Sequence, residues 1–267
     1  MNEFTKNRVR GFLLDVTGVL YNGSEDGCGT VIPGSVEAVE RLYRESMVRF
    51  VTNESTLGRE GLAAKLSNLG FRIDPSHLII PLDVAKYYLR KNNLRPHLLV
   101  HRNLRNHLDD IDQNSPNCVL VGYARDDFTY EAMNSAFQIL MSLKEPLIVS
   151  LGCGKFYRRA EGFNLDVGSF VKALQYATDA EVVIIGKPTK SFFMSAVEDM
   201  KLQTDEVVMI GDDIVTDIGG AQNAGIKGVQ VQTGKWRSEW MDHKIKPDLI
   251  ANNLKEAVDI ILLNNSS

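Results

Sequence analysis

Four short stretches of this chain carry residue types that can handle a phosphoryl group and a hard cation. Residues 11–23 read GFLLDVTGVLYNG, an apolar run that stops on one carboxylate, Asp15, followed by Val16, Thr17 and Gly18. Residues 48–55 pass from VRFV into the small polar cluster Thr52, Asn53, Glu54 and Ser55. Residues 181–188 run from EVVIIG into Lys187 and Pro188, and residues 207–217 run from VVMIG into Asp212 and Asp213, with Asp217 beyond. Mg²⁺ prefers hard oxygen ligands, and a lysine ammonium can neutralise phosphoryl oxygens. Thr52 and Asn53 can donate hydrogen bonds to such oxygens. Asp15 is then free to act as a nucleophile, with the cation offsetting the repulsion between two anions.

Taken singly, each stretch has an ordinary reading. An aspartate at a strand end usually forms a turn or a cap, and Thr-Asn-Glu-Ser is a common N-cap cluster. Gly-Lys-Pro and Gly-Asp-Asp are common turns, the latter also a weak cation site. The argument rests on all four occurring in this order, each directly after an apolar run.

Apolar runs of this length, bounded by turn residues, predict buried strands. In an open α/β sheet, ligands bind at the carboxyl ends of the strands. The four runs are therefore expected in one parallel sheet, with their tips along one edge. Helices are predicted from Pro33 through Val36, Val39 and Leu42, over 59–69 with Gly70 as cap, over 83–90 and over 192–200. Residues 21–32 read as a loop. From about Pro96 the alternation restarts, with strands at 98–100, 119–122 and 147–151 and helices at 130–143 and 170–177. A strand at 227–231, a start of another at 248–249 and a helix at 254–263 close the chain, and the tail LLNNSS is expected to fray. The predicted class is α/β: a Rossmann-like parallel-sheet core over 1–82 and 182–267, with an α/β domain inserted over 83–181.

With 267 residues, 44% hydrophobic and 24% charged, the chain has the composition of a soluble globular protein. A net charge of −4 argues against a nucleic-acid or anionic-membrane partner. Cys28, Cys118 and Cys153 lie far apart and form no CxxC pair, so reduced thiols are expected and no zinc site. No apolar run reaches the length of a membrane span, and MNEFTKNRVRG lacks the apolar core of a signal peptide. A cytoplasmic protein is expected, with a nuclear pool left open. None of the five histidines is assigned a catalytic role; His97, His101 and His107 show no metal-ligand pattern.

The four stretches resemble the four motifs of the haloacid dehalogenase superfamily of aspartyl-phosphate phosphatases: DVTGVL the first, VTNES the second, the lysine of GKP the third and GDDIVTD the fourth. The insert resembles the large α/β (C2-type) cap of that superfamily. DVTGVLY, IPGSVEAVERL, VRFVTNES, NCVLVGYA, MNSAFQILMSL, SLGCGKFY, LDVGSF, VVIIGKP and GDDIVTDIGGAQNAG are together similar to one branch of it. That branch hydrolyses inorganic pyrophosphate and P–N bonds, as in phospholysine, phosphohistidine and imidodiphosphate. The resemblance implies Mg²⁺ as cofactor, held by Asp15, Asp212 and the backbone carbonyl of Thr17. It implies Asp15 as nucleophile and Lys187 as its catalytic partner. Asp15, Val16, Thr17, Thr52, Asn53 and Lys187 would bind the phosphoryl group, and Asp213 and Asp217 would hold metal waters or the loop. It also implies small phosphorylated substrates or phosphoamino acids, and a homodimer formed through the cap.

One departure from the superfamily is informative. Most members carry a second aspartate two residues after the nucleophile, where it protonates the leaving group; here that position is Thr17. A threonine hydroxyl has no useful acidity near neutral pH, and general acid–base help is typically worth ~10²–10⁴-fold. An alkyl ester should suffer most from the loss. A protonated phosphoramidate, which releases a neutral amine, should suffer less, and so should pyrophosphate. The cap should supply selectivity by sealing the site. The candidates there are Gly152, Cys153, Gly154, Lys155, Phe156, Tyr157, Arg158 and Arg159, although a solvated basic turn accounts for the same stretch. Two other functions compete: a capped phosphomonoesterase for small sugar, glycolate or nucleotide phosphates, and a phosphate-binding scaffold that has lost turnover.

Overall fold

A computed structural model describes residues 8–24, 28–159 and 162–265, and side chains at 158 and 159 are left aside. Two parallel sheets organise the chain. The larger has six strands in the spatial order Leu249–Ala251, Lys227–Val231, Val207–Gly211, Gly11–Leu14, Met47–Val51 and Leu78–Ile79. Gly11–Leu14 lies inside it, with Phe12 beside Val208 on one flank and Val48 on the other. All four of its residues are buried. A parallel strand covered on both faces reads as an unbroken apolar run. The strand order reverses at this strand, since the chain continues outward on one side to Met47–Val51 and later returns on the other at Val207–Gly211. Such a reversal opens a crevice at the carboxyl ends of the strands.

The second sheet is made wholly from residues between Pro96 and Ile184, in the order Glu181–Ile184, Leu147–Ser150, Cys118–Val121 and Pro96–Leu99. Helices Tyr130–Ser142 and Val167–Thr178 pack on it through Ala136, Leu140, Val171 and Leu174, against Val119, Val121 and Ile148. Here the structure corrects the expected sheet. Glu181–Ile184 pairs with Leu147–Ser150, so the strand before Lys187 is not in the six-stranded sheet. The crossover helix Val167–Thr178 returns the chain to a strand beside the one it left, as a βαβ unit requires. Ile185 still donates its N–H to Ser150 O at 2.7 Å, and the chain then turns at Gly186, φ 117°, to deliver Lys187.

Two short antiparallel strand pairs also form: Tyr21–Asn22 with Thr30–Val31, inside the expected loop 21–32, and Phe156–Arg159 with Gly162–Leu165. Their strands of two and four residues are too short to show a period of two. The C-terminal helix Leu254–Asn265 runs further than its sequence suggested. Asn265 takes the Val9 N–H on its side-chain oxygen at 3.0 Å and donates to Val9 O at 2.8 Å. The last two residues of the tail expected to fray lie outside the described residues. Cys118 and Cys153 form no disulfide, and burial pushes the Cys118 thiol up to about 12. Among the described residues, no helix is long and apolar enough to cross a membrane.

Phe50 is fully buried and sits between Leu14 and Leu78 in the larger sheet. Phe50→Ala is expected to lower the unfolding free energy by about 3–5 kcal/mol, read as a lower urea midpoint at unchanged m-value.

Candidate active site

The crevice at the strand reversal gathers the charged residues. Asp15 follows Leu14 directly, and its N–H donates to Ile210 O at 2.9 Å, which ties the strand tip to its neighbour. Asp212 follows Gly211. Asp213 caps the next turn, accepting the N–H groups of Val215 and Thr216, each at 3.0 Å. That turn, Ile214–Gly219, brings Asp217 back beneath the strand tips, where its Oδ2 accepts the Asp213 N–H at 3.1 Å. Carboxylate oxygens of Asp15, Asp212 and Asp217 lie within 4.8 Å of one another, and all three residues are buried. Lys187 Nζ enters this group from the other sheet, 2.7 Å from Asp15 Oδ1 and 2.7 Å from Asp217 Oδ1.

The packing here is close enough to require glycine. At Gly18, φ 92°, a Cβ would fall 2.1 Å from Asp212 Oδ2; at Gly234, φ 58°, it would fall 2.0 Å from the same oxygen. Both positions also need a left-handed backbone, which glycine adopts at little cost. The loop holding Gly234 adds a cation. Lys235 donates its N–H to Asp212 Oδ2 at 2.7 Å and places Nζ 3.4 Å from Asp213 Oδ2.

Burial, reinforced by Asp15 and Asp217, pushes Asp212 well above the usual carboxylate range. Burial likewise lifts Asp217 to about 7, against the pull of Lys187. Burial alone would lower Lys187, but Asp15 and then Asp217 outweigh it and hold the ammonium above its ordinary value. Asp213 behaves oppositely to Asp212: burial raises it, yet Lys235 and the Thr216 and Val215 N–H groups bring it below its ordinary value. Asp15 and Asp217 thus share one ammonium, and the third buried carboxylate, Asp212, lies beside them. Hard oxygen donors crowded together and short of positive charge are a donor set that fits a divalent cation such as Mg²⁺.

Thr52 is buried, and its hydroxyl accepts the Glu54 N–H at 3.1 Å. Asn53 stands next to it at the same crevice. Its Oδ1 accepts the Lys187 N–H at 2.9 Å and its Nδ2 donates to Lys187 O at 3.0 Å. The side chain expected to bind a phosphoryl group thereby also clamps the backbone of the lysine that reaches Asp15. The Val16 side chain lies in the main hydrophobic core. Thr17 is exposed, with its hydroxyl 3.4 Å from the Tyr21 hydroxyl.

Above the carboxylates lies a cavity of about 660 Å³. Asp15, Thr52, Asn53, Lys187, Asp212 and Asp213 line its lower part, and Tyr123, Arg125, Gly154, Tyr157 and Asp166 face it from the inserted unit. Of the expected lid residues, Gly154 and Tyr157 reach the cavity. Tyr157 pairs its hydroxyl with that of Tyr123 at 2.5 Å. Phe156, the next residue along the strand, turns the other way under the Arg237 guanidinium, 4.9 Å from its ring centre. Phe163 and Trp240 flank the same guanidinium at 5.5 and 5.2 Å, so this contact joins the inserted hairpin to the loop that carries Lys235. Cys153 Sγ lies 3.8 Å from Lys187 O, and the Lys155 carbonyl accepts the Asp166 N–H. Arg158 and Arg159 fall where side chains are not described. His97, His101 and His107 do not line the cavity; His101 caps the short helix Arg102–Leu108.

The sequence reading missed Lys65, Tyr123, Arg125, Asp166 and Lys235 as cavity residues. Lys235 left a signal: it follows Lys227–Val231, which pairs with Val207–Gly211, so the strand-tip argument carried one strand further reaches it. The others depend on how the two sheets face each other.

Comparison with known proteins agrees with this geometry. Residues 12–113 match the family model described as haloacid dehalogenase-like hydrolase, and residues 184–257 match a second haloacid-dehalogenase hydrolase-like model. The chain is 47% identical to a protein of Danio rerio named phospholysine phosphohistidine inorganic pyrophosphate phosphatase, over 98% of this chain and 97% of that one. It is 46% identical to the Homo sapiens protein of the same name, over 95% and 94%. Among solved structures, a 4-nitrophenylphosphatase from Thermotoga maritima superposes with a TM-score of 0.84 at 26% identity, covering 95% of this chain and 97% of that one.

Lys187→Met leaves the carboxylate cluster without its central cation. In metal-free protein at pH 8 it is expected to lose about 3–5 kcal/mol of stability. The deficit should shrink at pH 5. Asp217 and Asp212 already hold protons more tightly folded than unfolded, and removing the ammonium strengthens that, so stability falls as pH rises through their folded range. Urea melts of both proteins at the two pH values check this.

Proposed function

The chain belongs to the haloacid dehalogenase-like hydrolases, and we propose that it is a Mg²⁺-dependent phosphohydrolase acting through an aspartyl-phosphate on Asp15. Its substrates in this reading are inorganic pyrophosphate and N-phosphorylated amines: phospholysine, phosphohistidine and imidodiphosphate. The observation that carries the reading is the Asp15–Lys187 pair at the cavity floor, 2.7 Å apart, with Thr17 and not an acid two residues after Asp15 in the chain.

Asp15, Asp212 and the Thr17 carbonyl would hold Mg²⁺, which when bound draws charge from the phosphoryl oxygens and shields them from Asp15. Lys187 engages Asp15 Oδ1, which leaves Oδ2 to face phosphorus. The same ammonium can lean on a phosphoryl oxygen as the charge shifts in the transition state. Asn53 sets the depth of Lys187 by gripping its backbone on both sides. Thr52 offers a hydroxyl donor from the adjacent strand tip. Asp217 holds the far side of the ammonium, and Asp213 holds the loop and Lys235. Attack by Asp15 expels the leaving group toward the inserted unit, and water then releases phosphate and restores Asp15.

Residues 83–181 act as the cap in this reading, with the return crossing at 185–187 because Glu181–Ile184 belongs to the smaller sheet. Action in the cytoplasm, with a nuclear pool, and a homodimer formed through the cap complete the proposal; exposed Tyr130, Met141 and Tyr176 on the cap helices suit that dimer. A phosphomonoesterase for small esters is the second reading, favoured by the likeness to the 4-nitrophenylphosphatase fold.

Phosphate release in Mg²⁺ decides between them. Pyrophosphate and a phosphoramidate should turn over well above an alkyl monoester, and Asp15→Asn should abolish release. Faster release from the monoester would replace the substrate assignment and keep the phosphatase. Binding of Mg²⁺ and phosphate with no release from any substrate would point to a scaffold.

Metal binding should compete with protons at the same carboxylates. Mg²⁺ is therefore expected to raise the melting temperature more at pH 8 than at pH 5, and an equal rise at both would count against these ligands.

A further inference from the structure

We infer that Asp166, carried by the cap, is the acid–base residue of the reaction and touches the leaving group in the position that Thr17 leaves without an acid. The inference rests on the phosphohydrolase reading above.

In-line displacement places the leaving group opposite Asp15. Asp15 lies on the cavity floor, so the leaving group faces the roof. Among the described residues, the carboxylic acids facing the cavity are Asp15, Glu54, Asp166, Asp212 and Asp213. Asp15 and Asp212 sit in the buried cluster with Lys187 and Asp217. Asp213 accepts two N–H groups and faces Lys235, which keeps it ionised. Glu54 uses Oε1 to accept both the N–H and the hydroxyl of Thr56 at 2.6 Å. Glu54 comes from the tip of Met47–Val51, on the floor side, and of these five acids Asp166 alone belongs to the cap, the side the leaving group faces.

Its local structure presents one oxygen to the cavity. Asp166 precedes the helix Val167–Thr178, and Oδ1 accepts the Val167 N–H at 2.7 Å. Oδ2 lies against Gly154, where an added Cβ would come within 1.9 Å of it. The bare glycine thus leaves this oxygen its space beside the cavity. Burial raises the Asp166 carboxyl above its ordinary range. Lys235 across the cavity and the Val167 N–H oppose that, while Asp213 and Glu54 add to it. Opposite shifts on neighbouring acids, here Asp166 upward and Asp213 downward, are how one site separates a proton carrier from a fixed anion.

In the first step Asp15 forms a P–O bond, the bond from phosphorus to the leaving atom breaks, and the Asp166 proton passes to that atom. A phosphoramidate then leaves as a neutral amine. In the second step water adds to phosphorus and the Asp15–phosphorus bond breaks. The water proton passes to the Asp166 carboxylate, which regenerates both side chains and releases hydrogen phosphate.

Asp166→Asn separates this role from helix capping, because asparagine caps about as well as aspartate. The full chain with saturating Mg²⁺ is assayed on pyrophosphate and on aryl phosphates from 4-nitrophenyl to phenyl, across pH. The loss in kcat/KM is expected to be roughly 10²-fold larger for phenyl phosphate than for 4-nitrophenyl phosphate, since only the poorer leaving group needs the proton. The alkaline fall in the wild-type kcat/KM profile should vanish in Asp166→Asn and return, shifted, in Asp166→Glu. An equal loss on every substrate with the pH profile unchanged, or no loss at all, would overturn the role while leaving the phosphohydrolase intact. Failure of the wild-type chain to turn over any of these substrates would overturn the underlying reading and the inference with it.

Discussion

The buried contact of Lys187 with Asp15 and Asp217 is the constraint around which the molecule is arranged. An ammonium taken out of water is tolerated only when paired and held in good geometry. Here two carboxylates 2.7 Å away provide the pairing, and three separate parts of the fold provide the geometry. The central strand Gly11–Leu14 brings Asp15, the turn after Val207–Gly211 brings Asp217, and Asn53 grips the lysine backbone from the tip of Met47–Val51. Two glycines leave room for Asp212 beside them. A substitution at any of these places acts on one electrostatic cluster.

That cluster also joins the two halves of the molecule. Lys187 reaches the core sheet from a strand of the cap sheet through only Ile185 and Gly186. The cap closes the same cavity from above with Tyr157 and Asp166, and its hairpin packs Phe156 against Arg237 of the core loop that holds Lys235. Cap and core therefore meet at charged residues that already contact the acid cluster. The acid cluster at the floor and the residues at the roof thus come from different units of the chain.

Much of this was legible in the chain itself. The apolar runs before Asp15, Thr52 and Asp212 became neighbouring strands because a parallel strand buried on both faces must be apolar throughout, and the residue after each run then falls on the ligand-binding edge. Lys187 was found for a partly mistaken reason: its strand lies in the other sheet, although the lysine arrives at the same cluster. Asn53 was legible as a strand-tip residue, but its hydrogen bonds to the Lys187 backbone were not. Pairing partners of a side-chain amide are set by what lies across from it, and here that is a backbone 134 positions away.

Residue order alone determined the α/β class, the restart of the alternation after Pro96 and the strand-end positions of Asp15, Thr52 and Asp212. These depend on local quantities: the length and polarity of a run and the residue that ends it. Tertiary structure alone decided that Glu181–Ile184 joins the cap sheet, that Phe156–Arg159 pairs with Gly162–Leu165 with Tyr157 at the cavity and Phe156 at Arg237, and that Asp166 and Lys235 share a cavity with Asp15. Those outcomes depend on which surfaces meet across long sequence separations. Short polar segments carry no periodic signal of that meeting, because their neighbours are chosen by the packing of the two sheets and not by their own pattern.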